Sequence, residues 1–134
     1  MSHTAKIEFK HEFSNQDIQD LVSTALEGGI TYWCSCANGK HNDDGTLFGV
    51  LPEDRSKIHF KSDIIAFGGT LVLFDVDYAT TKQIWYLNIE NLLQGIAMYC
   101  NKHNVLMSEL IDEHDASMAD AIVQYSLFGK VEYW

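Results

Sequence analysis

The stretch that decides the fold is GGTLVLFDVDYATTKQIWYL, residues 68–87. Two runs of apolar and aromatic residues flank a short polar connection at residues 77–81, which predicts two antiparallel strands joined as a hairpin. A doubly wound parallel sheet would instead place a helix after each strand. The hairpin therefore favours an α+β fold, a mainly antiparallel sheet with three to four helices packed on one face.

A local unit recurs around this hairpin: a helical apolar pattern, then glycine, then a run of β-forming residues. Glycine at such a position ends a helix, because it adopts the left-handed backbone that other residues disfavour. The three copies predict helix ends at Gly28-Gly29, Gly68-Gly69 and Gly129, with strands at residues 30–34, 70–76 and 130–134.

Short polar residues before the apolar patterns predict where the helices begin. The expected N-caps are Ser14, Ser62, Asn88 and either Asp115 or Ser117. Asn88 precedes a long helix predicted at residues 89–101, whose apolar positions cover about half of its circumference. A weak alternation of apolar residues at 5–13 predicts a further strand.

The composition predicts one domain spanning residues 1–134, since 46% of the residues are hydrophobic and 21% are charged. Such a chain can form a core and differs from disordered sequences. The polar N-terminal residues form no signal sequence, and no run approaches the roughly 18 apolar residues of a membrane span. We therefore expect a cytoplasmic protein without a membrane partner.

The charge balance restricts the kind of partner. Nineteen Asp and Glu residues stand against nine Lys and Arg residues, which gives a formal net charge of −10. Such a surface repels phosphate backbones and disfavours direct binding of nucleic acid. It suits a protein partner with a basic surface, or it serves solubility.

Three cysteines and one histidine form a nominal zinc ligand set: Cys34, Cys36, Cys100 and His103. Their spacing is poor for zinc, because structural sites usually bring ligands in pairs on tight turns. Cysteine in an apolar context is most often a small buried hydrophobic residue, which also opposes a catalytic thiol. We therefore predict no metal and no cofactor, and keep the four residues as weak candidates.

Two segments combine carboxylates with imidazole: IDEHD at residues 111–115 and HNDD at residues 41–44. Each has a structural explanation, a helix start for the first and a turn for the second, so no catalytic residue is predicted. Asp43 and Asp44 lie in the polar segment 37–61, where a functional loop is expected, and are candidate interaction residues.

Aromatic residues supply the other candidate interaction surface. Tyr133 and Trp134 follow the last predicted helix, and aromatic residues at a surface favour a protein interface. An alternative function is the binding of a small ligand of nucleotide type, in a pocket formed by the aromatic strands and the segment 37–61. Tyr32, Trp33 and Trp85 would then line an open pocket instead of a core.

Three segments, TALEGGITYWC (24–34), GGTLVLFD (68–75) and ADAIVQYSLFG (119–129), together resemble a family of small uncharacterised proteins carried by bacterial phages and prophages. The resemblance implies a non-enzymatic protein in the cytoplasm of a bacterial host. Such proteins often act by binding a host protein. The expected role is inhibition of an antiviral defence system, of the anti-CRISPR or another anti-defence type, and a homo-oligomer stays open.

Overall fold

A computed structural model describes residues 2–3, 10–36, 54 and 56–134, with the backbone alone of residues 36, 107 and 108. The fold is α+β, as the hairpin predicts. The described helices are α1 (Asn15–Thr24), α2 (Lys61–Ala66), α3 (Tyr78–Thr81), α4 (Ile89–His103), α5 (Met107–Glu113) and α6 (Ala116–Phe128). The described strands are β1 (Cys34–Cys36), β2 (Leu71–Asp75) and β3 (Ile84–Leu87).

The three strands form one antiparallel sheet in the order β1-β2-β3. The predicted hairpin is present as β2 and β3, with Leu73 opposite Trp85, and its connection contains the single turn of α3. Leu71 and Leu73 on β2 are fully buried. The side chains on this face of the sheet therefore join the core with the helices.

Helices α4 and α6 pack closely along one another through a glycine. A Cβ added at Gly95 would lie 2.6 Å from the carbonyl oxygen of Ile122, so no larger residue fits between the two backbones. Apolar side chains of both helices are buried around this contact: Leu92, Ile96, Ala119, Ile122 and Val123. This contact and the inner face of the sheet belong to one hydrophobic cluster.

Three of the predicted N-caps are confirmed and one is wrong. Ser14, Asn88 and Asp115 each accept a hydrogen bond from the backbone three residues later, at 2.8–3.1 Å. Helix α2 begins at Lys61, before the predicted cap Ser62. The buried Asp63 replaces that cap, because its carboxylate accepts from the backbone N–H groups of residues 59 and 60.

The glycines differ in what they do. Gly68 and Gly129 follow helices with φ of 94° and 72°, as the recurrent unit predicts. Gly28 and Gly29 instead lie inside a π-helical turn, Ala25–Gly29, that extends α1. A Cβ at Gly29 would lie 2.8 Å from the carbonyl oxygen of Ala116, so glycine is needed there for the approach of α6.

The remaining strand predictions are wrong or fall outside the described residues. The predicted strand at 30–34 is mostly a turn, because the N–H groups of Trp33 and Cys34 donate to the carbonyl of Ile30. Residues 130–134 form no strand, residues 10–13 are irregular, and residues 5–9 lie outside the described part. Helix α5 has no counterpart in the predictions. No helix in the described ranges has the length and apolar character needed to cross a membrane.

Candidate functional site

The segment 130–134 is held by a side chain in place of a neighbouring strand. Gln124 on α6 is completely buried. Its carbonyl oxygen accepts from the backbone N–H groups of Glu132 and Tyr133, both at 2.8 Å, and its amide donates to the carbonyl of Tyr133 at 3.0 Å. A side-chain amide can form hydrogen bonds with backbone N–H and C=O groups, as a neighbouring strand would. This amide clamp explains why the predicted strand is absent.

The clamp places Tyr133 against an aromatic cluster, formed by Trp33, Trp85, Phe128 and Tyr133. Trp33 and Tyr133 stack in parallel, with ring centroids 4.9 Å apart and an interplanar angle of 4°. Trp85 meets the rings of Trp33 and Phe128 edge to face, at 5.5 and 5.3 Å. Such pairs contribute about 0.5–1.5 kcal/mol each beyond the area they bury, so these contacts stabilise the arrangement of the four rings, which form the floor of a cleft.

Asp120, one helical turn before Gln124, connects the aromatic cluster to Gln124 and to Tyr32. Its carboxylate accepts hydrogen bonds from the hydroxyl of Tyr32 at 2.6 Å, the indole N–H of Trp33 at 2.8 Å and the amide of Gln124 at 2.8 Å. Partial burial, followed by the bond to Asp120, raises the pKa of Tyr32 to about 12. The Tyr32 hydroxyl therefore stays protonated at neutral pH and keeps donating.

An open cleft of about 310 Å³ lies above this floor. The carbonyl of Trp33 accepts from the N–H of Val76 at 3.2 Å, which brings the end of β2 to the cleft. We call it the C-terminal cleft. It is lined by Tyr32, Trp33, Asp75, Val76, Glu132, Tyr133 and Trp134.

The cleft is negatively charged. Burial raises the pKa of Tyr133, and the carboxylates of Asp75 and Glu132 raise it further, because both disfavour a second negative charge beside them. Glu132 forms an ion pair with Lys130 at 3.1 Å. Both side chains of this pair are exposed, so it contributes at most about 1 kcal/mol and can be exchanged.

The rim of the cleft exposes a large apolar surface. Trp134 is 93% exposed, and about half of the surface of Tyr32 and of Val76 is exposed. A tryptophan side chain this exposed buries almost no surface and contributes little to the stability of the fold. An exposed aromatic ring beside a fixed concave surface is typical of an interaction site.

The predicted interaction residues separate into two groups. Tyr133 and Trp134 line the C-terminal cleft, together with Tyr32 and Trp33. Trp85 lies below, in the aromatic cluster. Asp43 and Asp44, with residues 37–53 as a whole, lie outside the described residues.

The weak zinc candidates are not brought together where their side chains are described. Cys34 is buried at the start of β1, and Cys100 is buried in α4. His103 stacks against Tyr99 with ring centroids 4.5 Å apart, and the side chain of Cys36 is outside the described set. Within the described part of the chain, no three His, Cys, Asp or Glu side chains could hold a metal ion together. Burial raises the pKa of the Cys100 thiol, which keeps it protonated.

The segment 111–115 has structural roles. The ring of His114 bonds the carbonyl of Leu110 and the hydroxyl of Thr24, both at 2.9 Å, and thereby joins α5 to α1. Asp115 caps α6 by accepting from the N–H of Met118. The segment 41–44 is not described.

Sequence reasoning missed Asp120 and Gln124, which hold the site together. Both are polar residues one turn apart on a helix whose neighbouring positions Ala119, Ile122 and Val123 are buried. Polar residues on an apolar face usually have specific partners, and this signal could have found them. It could not have named Tyr133 as their partner.

No family model, no curated protein and no solved structure matches this chain.

Proposed function

We propose that this protein is a non-enzymatic binding protein of phage or prophage type, and that its C-terminal cleft docks a host protein with a basic surface. The cleft carries the proposal: an aromatic floor fixed by hydrogen bonds, two carboxylates and the exposed indole of Trp134. Tryptophan and tyrosine beside a rigid concavity supply much of the binding energy at protein interfaces.

The net charge of −10 supports a basic partner. Complementary charge accelerates the encounter of two proteins and disfavours wrong partners. A defence complex that handles nucleic acid needs basic surfaces for phosphate groups. We therefore propose inhibition of an antiviral defence system, of the anti-CRISPR or another anti-defence type, as the biological role.

The placement of reactive side chains supports binding over catalysis. The Cys100 thiol is buried with its pKa raised, and a protonated thiol is a poor nucleophile. Both ring nitrogens of His114 are engaged in holding α5 against α1. Neither residue lines the C-terminal cleft.

A nucleotide-type ligand ranks second. The aromatic rings of the cleft are suited to stacking with a base, but Asp75 and Glu132 repel phosphate groups at the same place. If nucleotides bind, they raise the melting temperature, by an amount that grows with the logarithm of their concentration relative to Kd. We expect no such shift with nucleoside mono-, di- or triphosphates.

The decisive experiment uses the full chain with an affinity tag at the N-terminus. Captured host proteins are identified by mass spectrometry, purified and titrated with the pure protein. The test variant is Trp134→Ala, and the matched control is Tyr86→Ala, an aromatic residue of β3 that is 59% exposed and does not line the cleft. Loss of the exposed Trp134 indole should weaken binding by more than about tenfold, whereas the control should change it by less than about twofold.

The biological role is tested in a host that carries a defence system. Expression of the protein should raise phage plating, and Trp134→Ala should abolish the effect while Tyr86→Ala keeps it. The proposal fails if the wild-type protein binds no purified host protein and changes neither plating nor defence activity. It also fails if a partner binds the two variants equally well.

A further inference from the structure

We infer that the C-terminal cleft binds an arginine side chain of the partner, stacked on Trp134 and neutralised by Asp75 and Glu132. The inference rests on the proposed function and names the chemical group that the cleft recognises. Three features of the described residues lead to it: charge, ring geometry and rigidity.

The negative charge of the cleft favours a cationic group on the partner. Asp75, at the end of β2, and Glu132, in the clamped segment, both line the cleft. Both carboxylates lie close enough to Tyr133 to raise the pKa of its hydroxyl. The nearby cation, Lys130, pairs with Glu132 at 3.1 Å, and its side chain is 71% exposed. An incoming cation can therefore replace Lys130 at Glu132 without uncovering a buried charge.

Ring geometry favours arginine over lysine. The indole of Trp134 presents an exposed flat surface beside the two carboxylates. A guanidinium group is planar, stacks on aromatic faces and donates two parallel hydrogen bonds to one carboxylate. An ammonium group is a strongly hydrated point charge and does neither as well.

Rigidity lowers the entropic cost of binding. The backbone of residues 132 and 133 is fixed by the three hydrogen bonds to the buried Gln124. Tyr133 is also fixed by its parallel stack on Trp33. Since the backbone that carries Glu132 and the ring of Tyr133 are already in place, binding has less of the site to order.

The test uses short blocked peptides, acetyl-Gly-Gly-Xaa-Gly-Gly-amide, with arginine, lysine or citrulline at Xaa. Citrulline has nearly the shape of arginine without the charge, so it isolates the electrostatic contribution. Binding to the full chain is followed by two-dimensional NMR, with the indole N–H signals of Trp33, Trp85 and Trp134 as local reporters. Arginine should bind at least about tenfold more tightly than citrulline, lysine should fall between them, and the Trp134 signal should move most.

Matched variants locate the charge. Glu132→Gln and Asp75→Asn should each weaken the arginine peptide by about threefold or more, whereas Asp112→Asn on α5, an exposed carboxylate outside the cleft, should leave it within about twofold. Thermal melts of each variant check the fold. The peptide comparison on the wild-type protein needs no variant and stands even if one fails to fold.

Equal binding of the arginine and citrulline peptides overturns the inference, and so does an arginine affinity that Glu132→Gln leaves unchanged. A lysine peptide that binds as tightly as arginine overturns the selectivity for a guanidinium group. If the purified partner still depends on Trp134 in these cases, the proposed function stands and only the arginine inference fails. If no partner binds at all, the proposed function fails independently.

Discussion

The α4–α6 contact and the C-terminal cleft share helix α6 but are held together by different forces. The contact brings two backbones together through Gly95 and buries apolar side chains around it. The cleft floor depends on directed hydrogen bonds from Gln124 and Asp120, and it leaves Trp134 in water. The side of α6 that faces α4 thus stabilises the fold, while the side that carries Asp120 and Gln124 positions the residues of the cleft.

The largest loss of stability should follow from a substitution at the α4–α6 contact. In Gly95→Ala the new methyl group would lie 2.6 Å from the carbonyl oxygen of Ile122, so the helices must separate. Overpacking of this kind should lower the free energy of unfolding by about 3 kcal/mol in urea denaturation. The control is Gly28→Ala, where an added Cβ meets nothing within 4 Å, and it should change stability by less than about 1 kcal/mol. Equal effects at both glycines would contradict this account of the contact.

A smaller loss should follow from removing the amide clamp. Gln124→Leu keeps most of the volume but leaves the N–H groups of Glu132 and Tyr133 without their acceptor. We expect a loss of about 2 kcal/mol. Near-ultraviolet circular dichroism should change, because Tyr133 leaves its stack on Trp33.

The matched control for the clamp is Gln16→Leu. Gln16 is an exposed residue of α1 whose amide donates to the carboxylate of Asp20 at 2.7 Å. Its replacement should cost less than about 0.5 kcal/mol. A Gln124→Leu variant with an unchanged aromatic spectrum would show that the clamp does not hold the segment 130–134.

The burial of Tyr32, together with its hydrogen bond to Asp120, should appear in the pH dependence of stability. The pKa of Tyr32 rises from 10.0 to about 12 on folding, so the folded state binds the proton more tightly. This contribution is complete below pH 10 and is lost as the pH rises towards 12. Tyr32→Phe should therefore flatten the fall in stability across this interval, as measured by urea denaturation at several pH values. Parallel curves for both proteins would be evidence against a raised pKa of Tyr32 in the folded state.

The smallest effect on stability is expected at the rim of the cleft. Trp134 is 93% exposed, so Trp134→Ala should change the free energy of unfolding by less than about 0.5 kcal/mol. The same variant is expected to weaken partner binding by more than about tenfold. A clear loss of stability would instead assign Trp134 to the fold and weaken its role as an interaction residue.

The sequence predicted the elements whose signals are local. The hairpin β2–β3, helix α6 with its Asp115 cap and the helix after Asn88 follow from periodicity and capping within a few residues. The strand at 130–134 was wrong, because a strand needs a partner and here Gln124 takes that place. Helix α5 is short and no side chain caps its N-terminus, so neither periodicity nor a capping residue predicts it.

The candidate site was predictable only in its aromatic part. The sequence predicts Tyr133 and Trp134 as candidate interaction residues from their type and position, and both line the cleft. Asp75 is distant from Glu132 and Tyr133 along the chain, and only the tertiary structure brings its carboxylate to Tyr133. The bonds of Asp120 to Tyr32 and Trp33 likewise connect segments that no sequence pattern relates.

The hydrogen bonds from Gln124 to residues 132 and 133 involve main-chain atoms. The backbone therefore holds the segment in place, while the side chains remain available to contact a partner. Every amino acid except proline offers the same N–H group. Substitutions at position 132 can therefore alter the chemistry of the cleft while its architecture is retained. Evolution, or an engineer, could retarget this protein by changing single surface residues without redesigning the scaffold.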